Sequence, residues 1–372
     1  MAVLAVVLGI GSLVVLAVIV GSLAGHQRAV RVLSARGTGA QLRRPAARTA
    51  RFDPVAIAAG IGLMDAAATA CQSVSYTGTQ IVAWWGQDGS STYLAQVWHR
   101  ADEPEFTQGG SDAGPAPAAS GDDGSAGTHA TPGVLDVSAR LVGLMRANYW
   151  IEYSGNGTAS GRPARIVSIW RRDGTLAARY WLDRSSGLPL RRELFDRAGR
   201  LVNEGAYIDI RIGAVDGDGT LVPGAPAWGP VPQATTLAAL RKRGWPLPPA
   251  LAGDLALVTV TSTATRAGTV LDASYSDGLS VISVFVQRGE LPQELPGWHR
   301  ADVGGWAVYA SGPGERSLTW SARGFVYTVI ADAPQETVER AVDGLPHERG
   351  LGFWGRLTRG LRRIESWFNP FG

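Results

Sequence analysis

The stretch "ARIVSIWRRDGTLAARYWLDRSSGLPLRRELFDRAGRLVNEGAYIDIR", residues 164–211, decides the fold class. Short runs rich in Val, Ile, Leu, Tyr and Trp are cut by Arg-Asp-Gly, Arg-Ser-Ser-Gly and Arg-Ala-Gly. Such punctuation ends strands, because Asp and Ser side chains bond nearby backbone N–H groups and Gly adopts conformations that other residues resist. The pattern predicts strands over 164–172, 176–183, 188–195 and 200–211, preceded by one over 149–154. Consecutive strands joined by tight turns pair antiparallel, so the stretch predicts a wide curved sheet.

Upstream, "SVSYTGTQIVAWWGQDGSSTYLAQVWHR" (73–100) predicts a hairpin around Gly86-Gln87-Asp88-Gly89. The two-residue period puts Val74, Tyr76, Gln80, Val82 and Trp84 on one face. Helices are expected over 54–72 and over 135–147, where Leu135, Leu141, Leu144 and Met145 recur at helical spacing. Residues 103–133, dominated by Gly, Ala, Ser, Pro and Asp, lack the apolar surface to order themselves and predict a disordered insertion in the first domain, 53–212. Asp122, Asp123 and His129 inside it have no rigid frame on which to hold a metal.

Downstream, 213–233 is rich in Gly, Pro and Asp and reads as a linker. A second unit over 234–346 opens with a short helix at 234–243. Strands follow near 255–263, 268–275, 279–288, 305–311, 316–321 and 324–331, then a helix at 334–344, the pattern of a smaller α+β domain.

The ends differ in character. Residues 2–24 are uncharged and apolar over a length that spans a bilayer, so 1–24 is expected to be a transmembrane anchor. The linker 25–52 holds seven arginines and no acid, and 348–372 holds five arginines and two glutamates. Of 35 basic and 32 acidic residues, 23 and 30 therefore lie between the flanks, so the basic pI is poor ground for nucleic-acid binding by the folded part. The tail 347–372 is amphipathic: Phe353, Trp354, Trp367 and Phe368 share one side and Arg356, Arg359, Arg362 and Arg363 the other. A membrane-interface helix and a terminal helix packed on its own domain both carry this pattern.

Chemistry is sparse. The five histidines are dispersed, no metal-ligand spacing or cofactor motif occurs, and no nucleophile elbow or phosphate loop is present, so no metal, cofactor or catalytic residue is expected. Cys71 stands alone among small helix formers and reads as a buried small hydrophobe. In "YSDGLSVISVFVQRG" (275–289), Ser276-Asp277 adjoin a glycine and precede a β-branched run. They read as a turn, with Asp277 accepting backbone N–H groups and Gly278 supplying a positive φ.

Three of these segments, "SVSYTGTQIV" (73–82) followed by "VWHR" (97–100), "LDRSSGLPLRRELFDRAGRLV" (182–202) and "YSDGLSVISVFVQRG", resemble the MucB/RseB family of sigma-E regulatory proteins, in an actinobacterial-type, membrane-anchored form. The resemblance implies an α+β protein: a lipoprotein-carrier-like antiparallel β half-barrel with helices on its concave side, then a smaller α+β domain. It implies no enzyme but an extracytoplasmic regulator that binds a membrane-spanning anti-sigma factor, limits its proteolysis, and is released by membrane lipids or lipoproteins. The alternative is a lipid or lipoprotein carrier, with Tyr76, Val82, Trp84, Trp98, Trp170 and Trp181 as candidate lining. The arginines after residue 27 point the folded part inward by the positive-inside rule, whereas the family implies an external one.

Overall fold

In the computed structural model of the chain, residues 52–86, 89–102, 106–109, 129–130, 135–213, 234–265, 268–292, 295–311 and 317–348 are described. The expected anchor 1–24, nearly all of the basic linker, most of the insertion and interdomain linker, and the tail from 349, with its membrane-interface candidates, lie outside them.

Helix α1 (Pro54–Ser73) begins where Asp53 accepts the Val55 N–H at 3.0 Å and Pro54 occupies the first turn, where its missing N–H costs nothing. Strands β1 (Tyr76–Gly86) and β2 (Gly89–His99) pair from Tyr76↔His99 to Gly86↔Gly89, the hairpin expected from sequence. Within 103–133 the structure differs from the expectation of an unstructured insertion. There β3 (Phe106–Gly109) pairs with β2, and β4 (His129–Ala130) pairs with β3. The unpaired backbone of β2 recruits them, and composition does not report such an edge.

Helix α2 (Ala139–Asn148) starts four residues later than the apolar spacing suggests. The Ser138 hydroxyl accepts the Leu141 N–H at 3.3 Å and caps it, while Leu135 is buried ahead of the helix. The meander follows as β5 (Trp150–Ala159), β6 (Arg162–Trp170), β7 (Leu176–Asp183), β8 (Pro189–Phe195) and β9 (Leu201–Ile212). Strand β5 outruns its predicted end because a bulge between Tyr153 and Gly155, with Gly155 at φ +119°, lets the chain continue. In the Arg-Ser-Ser-Gly turn the Asp183 carboxylate accepts the Ser186 N–H at 2.9 Å and pairs with Arg162 at 2.8 Å. Burial opposes its charge, yet the guanidinium and serine donors hold the carboxyl well below the usual range.

The nine strands form one sheet in the order β4-β3-β2-β1-β9-β8-β7-β6-β5. Among the described residues its two ends do not pair with each other, which leaves an open half-barrel. Helix α1 packs against β5 and α2, and the core between helices and sheet gathers Met64, Ala67, Val142 and Met145 with Val97, Ile151, Val167, Ile169, Tyr180 and Leu182. Cys71 belongs to this core as a buried apolar residue. By length and composition α1 could cross a membrane. Its small residues Gly60, Ala67, Ala68 and Ala70 are instead buried in the fold.

The second domain comprises α3 (Ala234–Lys242), β10 (Ala250–Leu251), β11 (Leu255–Thr265), β12 (Gly268–Ser276), β13 (Val281–Arg288), β14 (His299–Val303), β15 (Trp306–Ser311), β16 (Ser317–Ala322), β17 (Phe325–Asp332) and α4 (Gln335–Asp343). Its eight strands lie in the order β10-β11-β12-β13-β17-β16-β15-β14, all antiparallel. The two outer strands escaped the sequence reading: β10 is two residues long, and β14 is the polar run His-Arg-Ala-Asp-Val. One face of this sheet packs on Val338, Ala341 and Val342 of α4 through Leu271, Ala273, Tyr275, Val284, Tyr327 and Val329. Two antiparallel sheets with helices to one side of each make the chain an α+β protein.

At Gly60 α1 meets β5 without a spacer. A Cβ there would lie 2.7 Å from the Tyr153 nitrogen and 2.8 Å from the Glu152 carbonyl carbon, whereas at Gly62 it would meet nothing within 4 Å. Gly60→Ala is expected to cost about 2 kcal/mol in denaturant titration and Gly62→Ala nothing or a slight gain; equal effects would show that α1 does not seat on β5 through this glycine.

Candidate functional site

The two sheets meet where the turn between β12 and β13 enters the first domain. Its geometry follows from four side chains and one glycine. The Ser276 hydroxyl accepts the Gly278 N–H at 2.9 Å. One Asp277 carboxylate oxygen accepts the N–H groups of Leu279 and Ser280 at 2.8 and 2.7 Å, and the other accepts the Tyr149 hydroxyl at 2.7 Å. The Asn148 amide donates to the Asp277 carbonyl at 3.0 Å. Leu279 is buried in the core of the first domain, not of its own.

A buried carboxylate is tolerated only when its lone pairs are filled. Asp277 is 1% exposed and has three donors, of which Tyr149 crosses from the other domain. Burial, and then the negative charge and hydrogen bond of Asp277, push the Tyr149 hydroxyl far above its ordinary pKa, so it remains a donor at any physiological pH. Gly278 sits at φ +102°, and a Cβ there would lie 2.5 Å from the Met145 nitrogen of α2. Backbone thus presses on backbone at the junction.

Arg192 on β8 completes the contact. It is 4% exposed, donates to the Leu279 carbonyl at 2.6 Å and pairs with Asp332 at the end of β17 at 3.2 Å. The Trp84 indole N–H donates to the same carboxylate at 3.3 Å. Burial works against the guanidinium charge, but Tyr180 and Asp332 raise its pKa above the ordinary value. Around the rim, Arg140 donates to the Leu257 carbonyl at 2.9 Å and the Arg197 N–H to Glu336 at 2.9 Å.

The expectation that Ser276-Asp277 form a turn agrees with this geometry. Both side chains are buried and bonded to the turn's own N–H groups. The six aromatic and aliphatic lining candidates, in contrast, do not converge. Tyr76, Val82 and Trp84 share the helix-facing side of β1 with Gln80, but Tyr76 stacks on His99 at 5.1 Å and Trp84 on Tyr93 at 5.2 Å. Trp98 alternates with the inward Val97 and His99 and so lies on the opposite side. Trp181 also lies there, beneath Arg191 at 4.8 Å and Arg179 at 5.8 Å, whose charges pair with Glu193 and Glu204. Trp170 alternates with the inward Ile169 and packs with Phe52 at the sheet's end. The two-residue period corrects the grouping, because tryptophans at odd and even offsets cannot line one surface.

Sequence reasoning missed Tyr149, Asn148, Arg192 and Asp332. Arg192 stands two residues before the inward Leu194, which would have marked it as an arginine in a core position. A bulge that leaves Leu190 unpaired beside Trp181↔Arg191 and Leu182↔Pro189 hides that alternation. Among the described residues no three His, Cys, Asp or Glu side chains gather as metal ligands.

An open antiparallel half-barrel locked by one buried turn to a smaller α+β domain defines the class as a two-domain half-barrel protein. Residues 127–234 match the family model described as MucB/RseB N-terminal domain. The chain is 26% identical over 200 residues to the sigma factor AlgU regulatory protein MucB of Pseudomonas aeruginosa, covering 52% of this chain and 58% of that protein, less than two thirds of its length. The solved complex of Pseudomonas aeruginosa MucA/MucB has a TM-score of 0.45 at 19% identity, over 77% of this chain and 98% of the other. A crystal structure of MucB has a TM-score of 0.46 at 20% identity, over 78% and 98%. Over residues 127–234 the chain is thus similar to the MucB/RseB N-terminal domain, and over 200 residues to a curated MucB.

Loss of the turn's bonds should separate the domains. Asp277→Ala is expected to cost about 3 kcal/mol and Tyr149→Phe about 1 kcal/mol. Gly278→Ala, which forces both φ and a clash, is expected to turn one calorimetric transition into two. A single unshifted transition in Gly278→Ala would mean that the turn does not couple the domains.

Proposed function

We propose that the chain is an extracytoplasmic regulator of a sigma-E-type pathway, which binds a membrane-spanning anti-sigma factor and limits its proteolysis. The observation that carries this reading is the match of residues 127–234 to the MucB/RseB domain, together with a curated relative named as a sigma factor regulatory protein. The junction supports it: the Ser276-Asp277 pair, which could have suggested hydrolysis, is buried and occupied by structural bonds, so a non-enzymatic role fits it. Occlusion supplies the mechanism, since a segment held against a sheet is inaccessible to a protease. Residues 2–24 have the length and purity of a membrane anchor, and the basic residues on either flank suit anionic headgroups.

Release by lipid or lipoprotein belongs to the same proposal. Tyr76 is 4% exposed in the core shared with α1 and α2, and Val82 is 1% exposed on the same face, so acyl chains reach Tyr76 only if α1 or α2 lifts. Such a movement would strain the junction through α2, which carries Asn148 and abuts Gly278. A carrier in the strict sense would need the face open in the free protein, and the packed core favours the regulator.

The experiment is capture of an anti-sigma factor from the same genome with the full chain in detergent. The chain is expected to retain the extracytoplasmic segment and to slow its cleavage at least tenfold, and added phospholipid micelles to reverse both. Capture without protection would leave a binding protein that does not regulate proteolysis. Digestion of a C-terminal tag in intact, wall-stripped cells is expected as well; a protected tag would put the domains inside and defeat the external role.

A further inference from the structure

Among the described residues two uncharged strand stretches lack a partner strand on one side, Ser90–Leu94 of β2 beyond the reach of β3 and the longer Thr259–Ala264 of β11, while the other sheet edges are defended. Strand β14 is five residues long and carries His299, Arg300 and Asp302. Strand β5 has Glu152, a bulge and Gly155 at positive φ, and α1 packs on it. At the other end of the first sheet β4 is two residues long. Short length, charge, bulges and cover are the devices by which edges avoid pairing with other chains. Strand β11, Leu-Ala-Leu-Val-Thr-Val-Thr-Ser-Thr-Ala-Thr, has eleven residues with no charge and no proline.

Strand β10 pairs only with Leu255 and Ala256, and Arg140 fills the Leu257 carbonyl beside the bulge at Val258. Beyond it, Thr259–Ala264 pairs with β12 on one side, and among the described residues no strand pairs on the other. Threonine-rich backbone of this kind is preorganised to accept another strand.

A second observation says what that strand should carry. Asp272 on β12 lies between Thr261 and Phe285 in register, on the face of the sheet away from α4. Its Oδ1 is buried with no hydrogen-bond partner among the described residues. The side chains beside it on that face are the hydroxyls of Thr259 and Thr261 on β11, Ser274 on β12 and Ser283 on β13, together with the apolar Val270 and Phe285, and none of them is a cation. Burial pushes the carboxyl up to about 7, and among the described residues no cation offsets it. A strand added to β11 lies two strand spacings from Asp272, about 10 Å. The four-carbon stem of a lysine crosses Thr261 to close that gap.

We propose that the open edge Thr259–Ala264 of β11 is a strand-addition site for an extended segment of a partner polypeptide with a lysine or arginine among short side chains, its cation crossing Thr261 to meet Asp272. This rests on the reading of the chain as a binding protein and names the chemistry of its partner. The backbone ladder supplies affinity, and the lone carboxylate fixes register, because a slip of one residue sends the cation to the opposite face.

The test uses the full chain in detergent and a labelled peptide, acetyl-Thr-Val-Thr-Lys-Thr-Val-Thr-amide, with two counterparts: one with glutamine for lysine, one N-methylated along both edges. The lysine peptide is expected to bind at least tenfold more tightly than the glutamine peptide, and the methylated peptide not to bind. Asp272→Asn should abolish the preference between the first two, and Ser262→Lys with Ala264→Lys should weaken both. Folding is controlled by the sign of the stability change. A carboxyl whose folded pKa lies above its unfolded value loses stability as pH rises between the two, so one unit above the folded value Asp272→Asn should raise the Tm by roughly 5 °C.

Absent binding of the lysine peptide, binding that ignores methylation, or a preference that survives Asp272→Asn each overturns the proposal. So does a dimer of the free chain that the double lysine variant dissolves, which would assign the edge to a second copy. Capture of an anti-sigma factor, run in parallel with wild type and the double lysine variant, separates the two readings. Equal capture by both removes the edge site and leaves the regulator standing, whereas peptide binding without capture by wild type removes the regulator alone.

Discussion

Asp277 is the constraint on which the rest of the structure depends. A carboxylate taken out of water must be surrounded by donors, and two of its three come from its own turn while the third, Tyr149, belongs to the other domain. The domain junction is thereby written into the desolvation of one side chain: neither half satisfies it alone. Arg192 repeats the logic in the opposite direction, a first-domain cation satisfied by a second-domain carbonyl and carboxylate. The two groups are complementary, and the leucine carbonyl that Arg192 reaches lies in the turn that Asp277 caps.

Reciprocal satisfaction makes the junction specific. Apolar surfaces slide over one another at little cost, whereas a misplaced buried charge costs several kcal/mol. Leu279 supplies the apolar part by burial in the neighbouring core, and Gly278 permits the close approach to α2 that brings these bonds to length. Any signal that moves α2 or β8 must therefore act on both domains together.

The meander over 164–211 was legible because its turn residues and apolar runs are local signals, and the observed strands end within about two residues of their expected limits. The hairpin around 86–89 and most of the second domain were legible for the same reason. What could not be read were features that depend on another part of the chain: the late start of α2 set by Ser138, the strands β3 and β4 recruited by a neighbouring edge, and the first-domain burial of Leu279, which delays β13. The site was less legible than the fold. Ser276-Asp277 gave away the turn but not its docking, since Tyr149 lies more than a hundred residues upstream. The tryptophans, conspicuous in the sequence, fell on both faces of the sheet because each strand sets its own inward parity, which the sequence does not relate from one strand to the next.

Helix α1 is apolar enough to enter a bilayer, yet it seats on β5 through Gly60 and a row of alanines. During synthesis that helix leaves the ribosome well before the strand that receives it, and its small side chains give lipid no steric reason to refuse it. Biogenesis is therefore a competition between two solvents for one segment. What decides between them in the folded chain is fit: Gly60 and the buried alanines match the backbone of β5, and lipid offers no such match.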